Sequence, residues 1–174
     1  MHTPVTLATA LTQLGIAFTN HAHAPVFTVA EAQAVNHAIP GAHIKNLFLK
    51  DKAGALTLVT ALDTCSVPLN PLAKHLGAKG RYSFGSAELL RTTLGVEPGS
   101  VTPLALINAP GGSLRVVFDE GIFSHSVVNP HPLTNTATLS LSPADLVKAL
   151  NAWGHHPLRL DFSKFQTESM PLTA

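Results

Sequence analysis

The stretch HIKNLFLKDKAGALTLVTAL, residues 43–62, decides the fold expected for this chain. Two apolar runs, 43–50 and 55–62, flank turn residues between Asp51 and Gly54. Such runs separated by a turn predict a β-hairpin. Because successive side chains of a strand point to opposite faces, the first strand divides into two sets. One face carries His43, Lys45, Leu47 and Leu49, and the other carries Ile44, Asn46, Phe48 and Lys50.

Lys45 is the unusual residue of this hairpin, since it shares a face with two leucines that favour burial. Lysine is rarely fully buried unless it is paired. The chain also uses charge sparingly: 12% of its residues are charged, about half the ~25% of ordinary domains. On the pattern alone two interpretations stay open. Either the side chain reaches water past Leu47, or it serves a function.

The rest of the chain mixes helical and extended patterns without strict β–α alternation. Helices are predicted after the N-caps Thr3, Thr28 and Ser142, and over 71–76 and 86–94. Residues 36–42 are predicted as a loop, and further strands over 114–120, 137–141 and 156–162. Gly111-Gly112 is typical of a hairpin turn before the first of these. The mixture predicts an α+β sheet or barrel.

Composition bounds the classes of protein that fit. The chain has 174 residues, a net charge of +1 and a single cysteine, Cys65. This length suits one domain spanning 1–174, and we expect a flexible C-terminal tail over 162–174. A lone cysteine excludes an internal disulfide framework. No run approaches the ~18 apolar residues of a membrane span, so a cytoplasmic protein without membrane contact is expected.

Several strong catalytic motifs are absent: GxxxxGK[ST], GxGxxG, HExxH, GxSxG and CxxC. The pairs His21/His23 and His155/His156 suggest a metal site only weakly, because no carboxylate stands at a fixed spacing from them. We therefore expect no metal and no cofactor. Cys65 has no evident activating neighbour and is interpreted as an inert thiol.

Two further stretches invite a functional interpretation. In GSVTP, Gly99–Pro103, glycine and proline four residues apart fix a loop whose backbone N–H groups can face a ligand. In NPHPLTN, residues 129–135, His131 stands between two prolines and Asn135 precedes a strand. Taken singly, a connecting turn and a histidine in a rigid loop explain these stretches as well.

Together and in this order, the motifs resemble one family. GAHIKNLFLKD (41–51), LGVEPGSVTPLALIN (94–108) and HPLTNTATLSLSPADL (131–146), with HAPVFTVAEA (23–32) upstream, are similar to the YbaK/prolyl-tRNA synthetase-associated domain family. The match extends over residues 5–161. The full set resembles its bacterial prolyl-tRNA editing branch, whose members hydrolyse alanine wrongly attached to the proline tRNA.

The resemblance implies a single compact α+β domain with a mixed, barrel-like β-sheet flanked by helices. It also implies a site. Lys45 would contact the 3′ end of the tRNA or its aminoacyl ester, with Asn46 beside it, and His131 would lie at the pocket rim. The expected catalytic residues are Lys45, Gly99 and His131; the expected substrate-binding residues are Asn46, Ser100, Val101, Thr102, Pro103 and Asn135.

The implied activity is deacylation of mischarged tRNA, with Ala-tRNA(Pro) as the expected substrate. Cys-, Ser- or Thr-charged tRNA remains an alternative, as does a non-catalytic module that binds tRNA or a synthetase. The implied partners are the tRNA acceptor end and prolyl-tRNA synthetase or an elongation factor, but not DNA. One departure concerns Pro68 and Asn70, where many relatives carry an acidic residue and a lysine. This departure weakens the expectation of a tRNA-backbone contact from that stretch.

Overall fold

A long antiparallel hairpin forms the centre of the computed structural model, which describes residues 1–168 and the side chains of residues 1–165. Its strands are β2 (Ala42–Lys50) and β3 (Leu56–Leu62). They pair in continuous register from Ile44 opposite Leu62 to Lys50 opposite Leu56. The predicted hairpin is therefore confirmed, and its alternation fixes which side chains reach each layer of the protein.

The main sheet has six strands and mixed direction. Strands β4, β2, β3, β5 and β8 follow one another across it, and the short strand β6 pairs with the start of β2. The β2 strand is antiparallel to β3 and β4, whereas β3–β5, β5–β8 and β2–β6 are parallel. The remaining strands of this sheet are β4 (Ser83–Phe84), β5 (Arg115–Asp119), β6 (Val128–Asn129) and β8 (Leu158–Leu160).

A separate two-stranded sheet joins β1 (Thr19–Ala22) to β7 (Ala137–Ser140). A bridge between Val128 and Leu141 links it to the main sheet. The mixed α+β sheet flanked by helices is thus confirmed. The expected barrel-like closure does not occur, because the order of strands leaves β4 and β8 as open edges.

Six helices flank the sheets in the described part of the chain. They are α1 (Pro4–Gln13), α2 (Val29–Ala38), α3 (Leu69–His75), α4 (Ala87–Leu94), α5 (Pro143–Ala152) and α6 (Phe162–Glu168). The side chains of Thr3, Thr28 and Ser142 cap α1, α2 and α5 as predicted. At α2 the capping box is reciprocal, since Thr28 Oγ1 accepts from the Glu31 N–H and the Glu31 carboxylate accepts from the Thr28 N–H.

The sheet separates two apolar layers. On one side the larger core gathers Ile44 and Phe48 of β2 with the buried faces of α1, α4 and α5. On the other side Leu47 and Leu49 pack with Val59, Leu72 and Phe162 in a smaller core. Strand β2 is therefore covered by apolar side chains on both faces, which is why each face carries apolar residues beside the polar His43, Lys45, Asn46 and Lys50.

Three expectations need correction. Gly111-Gly112 is not a hairpin turn, because Pro103–Asn108 before it forms a 3₁₀-helix and β5 then pairs in parallel with β3. The loop predicted over 36–42 is shorter, since α2 continues to Ala38 and β2 begins at Ala42. The tail predicted over 162–174 begins with α6, whose Phe162 is fully buried; the part from 169 onward lies outside the described residues.

Within residues 1–168, no helix is long and apolar enough to cross a membrane.

Candidate active site

The β2 strand has a gap along its edge. On the side away from β3, β6 pairs only with Ala42 and His43, and β4 pairs only with Leu49 and Lys50. No strand in the described part of the chain pairs with β2 between these points on that side. Residues 43–47 are accordingly half-buried, although the strand lies in the middle of the sheet. The gap opens at the two residues that sequence analysis selected, Lys45 and Asn46.

The Gly99–Pro103 loop lies on the larger-core side of this gap. Gly99 has a φ of +89°, a conformation that favours glycine, and the space around its missing Cβ is open. Ser100 and Thr102 are buried, and the Thr102 hydroxyl caps the following 3₁₀-helix by accepting from the Leu104 N–H. The loop is thus fixed at both ends: by its glycine turn and by this cap.

The loop also presents unused donors. Among residues 1–168, no acceptor pairs with the backbone N–H of Gly99, Val101 or Thr102, whereas the Ser100 N–H donates to the Glu97 carbonyl. Unpaired backbone N–H groups in a fixed loop are the donors that stabilise a developing oxyanion.

Asn46 fastens this loop to the hairpin. Its Nδ2 donates to the Val101 carbonyl at 3.1 Å, and its Oδ1 accepts from the Thr60 hydroxyl at 2.7 Å. Thr60 faces Asn46 across the β2–β3 ladder and is fully buried. The structure therefore uses both ends of the Asn46 amide for protein contacts, so Asn46 positions the loop.

Lys45 lies on the opposite face of β2, as strand alternation requires. Its charge acts on the half-buried thiol of Cys65, which belongs to the smaller-core side. Burial raises the pKa of Cys65, the Asp119 carboxylate raises it further, and the charge of Lys45 opposes these effects. In the described part of the chain, Lys45 Nζ makes no hydrogen bond or ion pair with a side chain or carbonyl. Lys45 is thus a half-buried residue whose ammonium group has no carboxylate partner among the described residues.

His131 and Asn135 lie in the segment between β6 and β7. His131 Nδ1 donates to the Ala137 carbonyl at 3.2 Å, which leaves Nε2 without a proton when the ring is neutral. Burial lowers the pKa of His131 below the ordinary 6.5, against the hydrogen bond to Ala137, and the nearby His23 lowers it further. Asn135 Nδ2 donates to the Val26 carbonyl at 3.4 Å, ahead of α2. No hydrogen bond joins either residue to Lys45 or to the Gly99–Pro103 loop among the described residues.

A polar chain instead connects the His131 segment to β2. Ser140 donates to Asn129 Oδ1 at 2.6 Å, and Asn129 Nδ2 donates to the Pro40 carbonyl at 3.1 Å, with His43 Nε2 3.4 Å away. His43 Nε2 lies closer to the Ile39 carbonyl, at 3.0 Å, and donates to it. Thr60, Asn129 and His43 were not selected by sequence analysis. The signal that could have found Asn129 is a polar side chain directly after the apolar pair Val127-Val128, whereas the sequence around Thr60 gives no such signal.

The structure thus brings Asn46 and the Gly99–Pro103 loop into contact and places Lys45 at the same gap on the other face. The His131 segment adjoins the start of β2. Within residues 1–168, no group of three or more histidine, cysteine or acidic side chains is placed to hold a metal ion. His21 and His23 bond instead to Ser140 and Thr138 on the neighbouring strand.

Comparison with known proteins now defines the class. The family model for the aminoacyl-tRNA editing domain matches residues 23–149. The chain therefore belongs to the aminoacyl-tRNA editing domain family, the YbaK/prolyl-tRNA synthetase-associated family to which its motifs bear a resemblance.

Individual relatives carry more specific names than the family model. The prolyl-tRNA synthetase associated domain-containing protein 1 of Bos taurus is 40% identical over 146 residues, covering 82% of this chain and 85% of the relative. The prolyl-tRNA editing protein ProX of Acetoanaerobium sticklandii is 34% identical over 146 residues, covering 83% and 88%. A crystal structure described as a candidate trans-editing enzyme for prolyl-tRNA synthetase superposes with a TM-score of 0.69 at 19% identity, covering 92% and 98%. The last likeness supports the fold.

Removing the amide of Asn46 should loosen the loop. In Asn46→Ala the buried Thr60 hydroxyl and the Val101 carbonyl each lose a partner, at a cost of about 1–3 kcal/mol in the free energy of unfolding. Denaturant titration measures this loss, and backbone order parameters at Gly99 and Val101 should fall. Asn20→Ala, on an exposed position of β1, is the matched control. Unchanged loop order in Asn46→Ala would show that Asn46 does not hold the loop.

The lowered pKa of His131 should make stability depend on pH. The unfolded chain binds a proton near pH 6.5 more readily than the folded chain, so stability is fully present above that pH and decreases as pH falls through the folded pKa. His131→Asn keeps a donor for the Ala137 carbonyl but does not titrate. Urea titrations at pH 7.5 and 5.5 should therefore show a smaller loss of stability in His131→Asn than in wild type. An equal loss in both proteins would contradict a buried neutral His131.

Proposed function

We propose that this protein hydrolyses the ester of mischarged proline tRNA, with Ala-tRNA(Pro) as its main substrate, and so acts as a trans-editing deacylase in the cytoplasm. The observation that carries the proposal is that two features meet at the β2 gap. Loop N–H groups without an acceptor lie on one face of the strand, and a lysine without a carboxylate partner lies on the other. Membership of the editing family and the name of the ProX relative support the choice of substrate.

The chemistry needs positioning more than a strong nucleophile, because an aminoacyl-tRNA ester is already activated. Water attacks the carbonyl carbon, the bond from that carbon to the ribose oxygen breaks, and the products are free amino acid and tRNA with its terminal hydroxyl restored. Negative charge develops on the carbonyl oxygen during the attack. The N–H groups of Gly99, Val101 and Thr102 supply fixed donors for that oxygen.

Lys45 supplies charge at the other face of the gap. Its ammonium group binds the 3′-terminal phosphate or ribose and so orients the ester toward the loop. Asn46 acts indirectly in this scheme, since its amide holds the Val101 carbonyl and hence the direction of the neighbouring N–H groups. The substrate-binding role expected of Asn46 thus becomes a positioning role. Ser100, Thr102 and Pro103 likewise shape the loop.

His131 and Asn135 form the rim of the site in this proposal. A neutral His131 offers Nε2 as an acceptor and carries no positive charge that would repel the ammonium group of the bound amino acid. A synthetase active site rejects a smaller amino acid by only about 1–3 kcal/mol per missing methylene, so some tRNA is charged with an amino acid that is too small. A second, smaller site removes that amino acid, and the esterified amino acid of the substrate is therefore small. Association with prolyl-tRNA synthetase fits the names of the relatives.

The decisive variant is Lys45→Ala. Deacylation of Ala-tRNA(Pro) should slow about 100-fold in kcat/KM, the loss typical when one electrostatic donor is removed from an active site. The free energy of unfolding should change by less than about 1 kcal/mol, since a half-buried lysine without a partner contributes little to stability. Lys148→Ala, exposed on α5, is the control and should keep full activity.

The same assay tests which amino acid the protein removes from the tRNA. A panel of Ala-, Cys-, Ser-, Thr- and Pro-charged tRNA(Pro) should show hydrolysis of the alanyl ester and survival of the prolyl ester. Faster hydrolysis of another mischarged ester would change the substrate. If wild-type protein left every ester intact while it bound tRNA, the proposal would be replaced by a non-catalytic binding module.

A further inference from the structure

The permanent positive charge of this chain is distributed very unevenly. Residues 1–44 and 116–147 contain no lysine or arginine, so β1, α2, β6, β7 and the His131 segment carry none. Of the 11 lysines and arginines, five lie on or beside the turn that joins β2 to β3, at the far end of β2 from His43. These five are Lys50, Lys52, Lys79, Arg81 and Arg115, and all are exposed.

Backbone contacts gather these five residues at the turn end of the main sheet, and the surface of that end is formed from both faces, with Lys50 on one and Arg115 on the other. The Lys52 N–H donates to the Lys79 carbonyl at 2.8 Å, and Lys50 pairs with Ser83, two residues after Arg81. Arg115 reaches the end of α3, where its guanidinium donates to the Leu76 carbonyl at 2.6 Å. A groove of about 620 Å³, lined by Arg115, Tyr82 and the 76–78 segment, runs between these elements.

No carboxylate in the described part of the chain forms a salt bridge with these five charges, and the Arg115 guanidinium donates only to a backbone carbonyl, that of Leu76. Both salt bridges in the described part of the chain lie elsewhere, between Arg91 and Glu97 and between Arg159 and Glu120. The one acidic group within the surface is Asp51, whose carboxylate is buried and accepts three backbone N–H groups, from Ala53, Ala55 and Lys79. The N–H of Lys79 contributes most to holding the pKa of Asp51 below its usual value. Asp51 therefore shapes the turn and forms no side-chain ion pair with the five cations.

An exposed aromatic ring completes the surface. Phe84 is 64% exposed although it lies on a strand, and because it pairs with Leu49 its ring lies on the same face of the sheet as Arg115, opposite to the side chain of Lys50. An exposed apolar ring at the same end of the sheet as exposed cations suits double-stranded RNA, because phosphates contact the cations and a ribose of the stem packs on the ring.

We propose that Lys50, Lys52, Lys79, Arg81, Arg115 and Phe84 form the docking surface for the acceptor stem of the tRNA. This inference rests on the proposed function, which places the ester at the β2 gap and so fixes the point from which the stem extends. The ester lies at the end of a single-stranded segment, and the double-stranded stem lies further back. Lys50 stands about 17 Å from Lys45 along β2, at ~3.3 Å per residue. The opposite end of β2 offers phosphates no permanent cation, so the stem leaves the gap toward the turn.

The test measures binding of uncharged tRNA(Pro), which requires no catalysis. The double variant Lys79→Gln/Arg81→Gln removes two surface cations; the control Arg91→Gln/Lys148→Gln removes two cations from α4 and α5. Binding is followed across salt concentrations, since each phosphate contact contributes about one unit to the slope of log affinity against log salt. The surface variant should bind about fivefold more weakly or worse and lose about two units of slope, while the control stays near wild type.

Two further binding measurements test the same assignment. Phe84→Ala should weaken binding severalfold without changing the salt slope, because packing of a ribose on the ring is not electrostatic. A minihelix containing only the acceptor stem and its 3′ end should show the same losses as the whole tRNA. A surface variant that bound like its control, or losses seen with whole tRNA and absent with the minihelix, would overturn the assignment.

The kinetic readout separates this inference from the proposed function. With Ala-tRNA(Pro), the surface variant should raise KM and leave kcat unchanged, whereas Lys45→Ala lowers kcat. If the wild-type protein deacylated nothing but the binding losses appeared as described, the docking surface would stand and the proposed activity would fail.

Discussion

Burial of β2 on both faces is the constraint on which the rest of this structure depends. Phe48 and Ile44 anchor the strand in the larger core, and Leu47 and Leu49 anchor it in the smaller one. A strand held from both sides can carry polar residues at its open edge without losing its position. That rigidity places Lys45 and Asn46 on opposite faces of the gap, and a shift of register by one residue would exchange them.

The site that results is assembled from distant parts of the sequence by few contacts. The Asn46 amide connects the hairpin to a loop 55 residues away and uses both of its hydrogen-bonding ends to do so. Asn129 joins the His131 segment to the residues just before β2. These side chains prepare the geometry before any substrate arrives, which suits a reaction governed by orientation and by fixed donors.

Local patterns predicted much of this fold. The β2–β3 hairpin, the capping box at Thr28 and the helix opened by Ser142-Pro143 all follow from chemistry within a few residues. The parallel pairing of β5 does not, because it depends on where a distant strand packs. Gly111-Gly112 was misinterpreted for that reason. The start of the tail was misjudged because the burial of Phe162 depends on a core that only the folded chain creates.

The candidate site also has a part that the sequence predicted and a part that only the structure shows. The motifs identified Lys45, Asn46 and the Gly99–Pro103 loop, but alternation alone could not show on which face the loop would pack. The contact between Asn46 and Val101 answers that question and changes the interpretation of Asn46 from a ligand-binding side chain to a positioning one. Thr60 was missed because a threonine in a strand is ordinary until its partner is known.

The most direct measurement of this account follows the loop N–H groups themselves. Adenosine carrying alanine through a 3′-amide in place of the ester cannot be hydrolysed readily, yet it keeps the carbonyl oxygen. In ¹⁵N-labelled protein, titration with this compound should shift the backbone amide resonances of Gly99, Val101 and Thr102 most strongly, together with those around Lys45. Shifts confined to other surfaces, with these three amides unmoved at saturation, would contradict the assignment of the loop as the oxyanion-binding element.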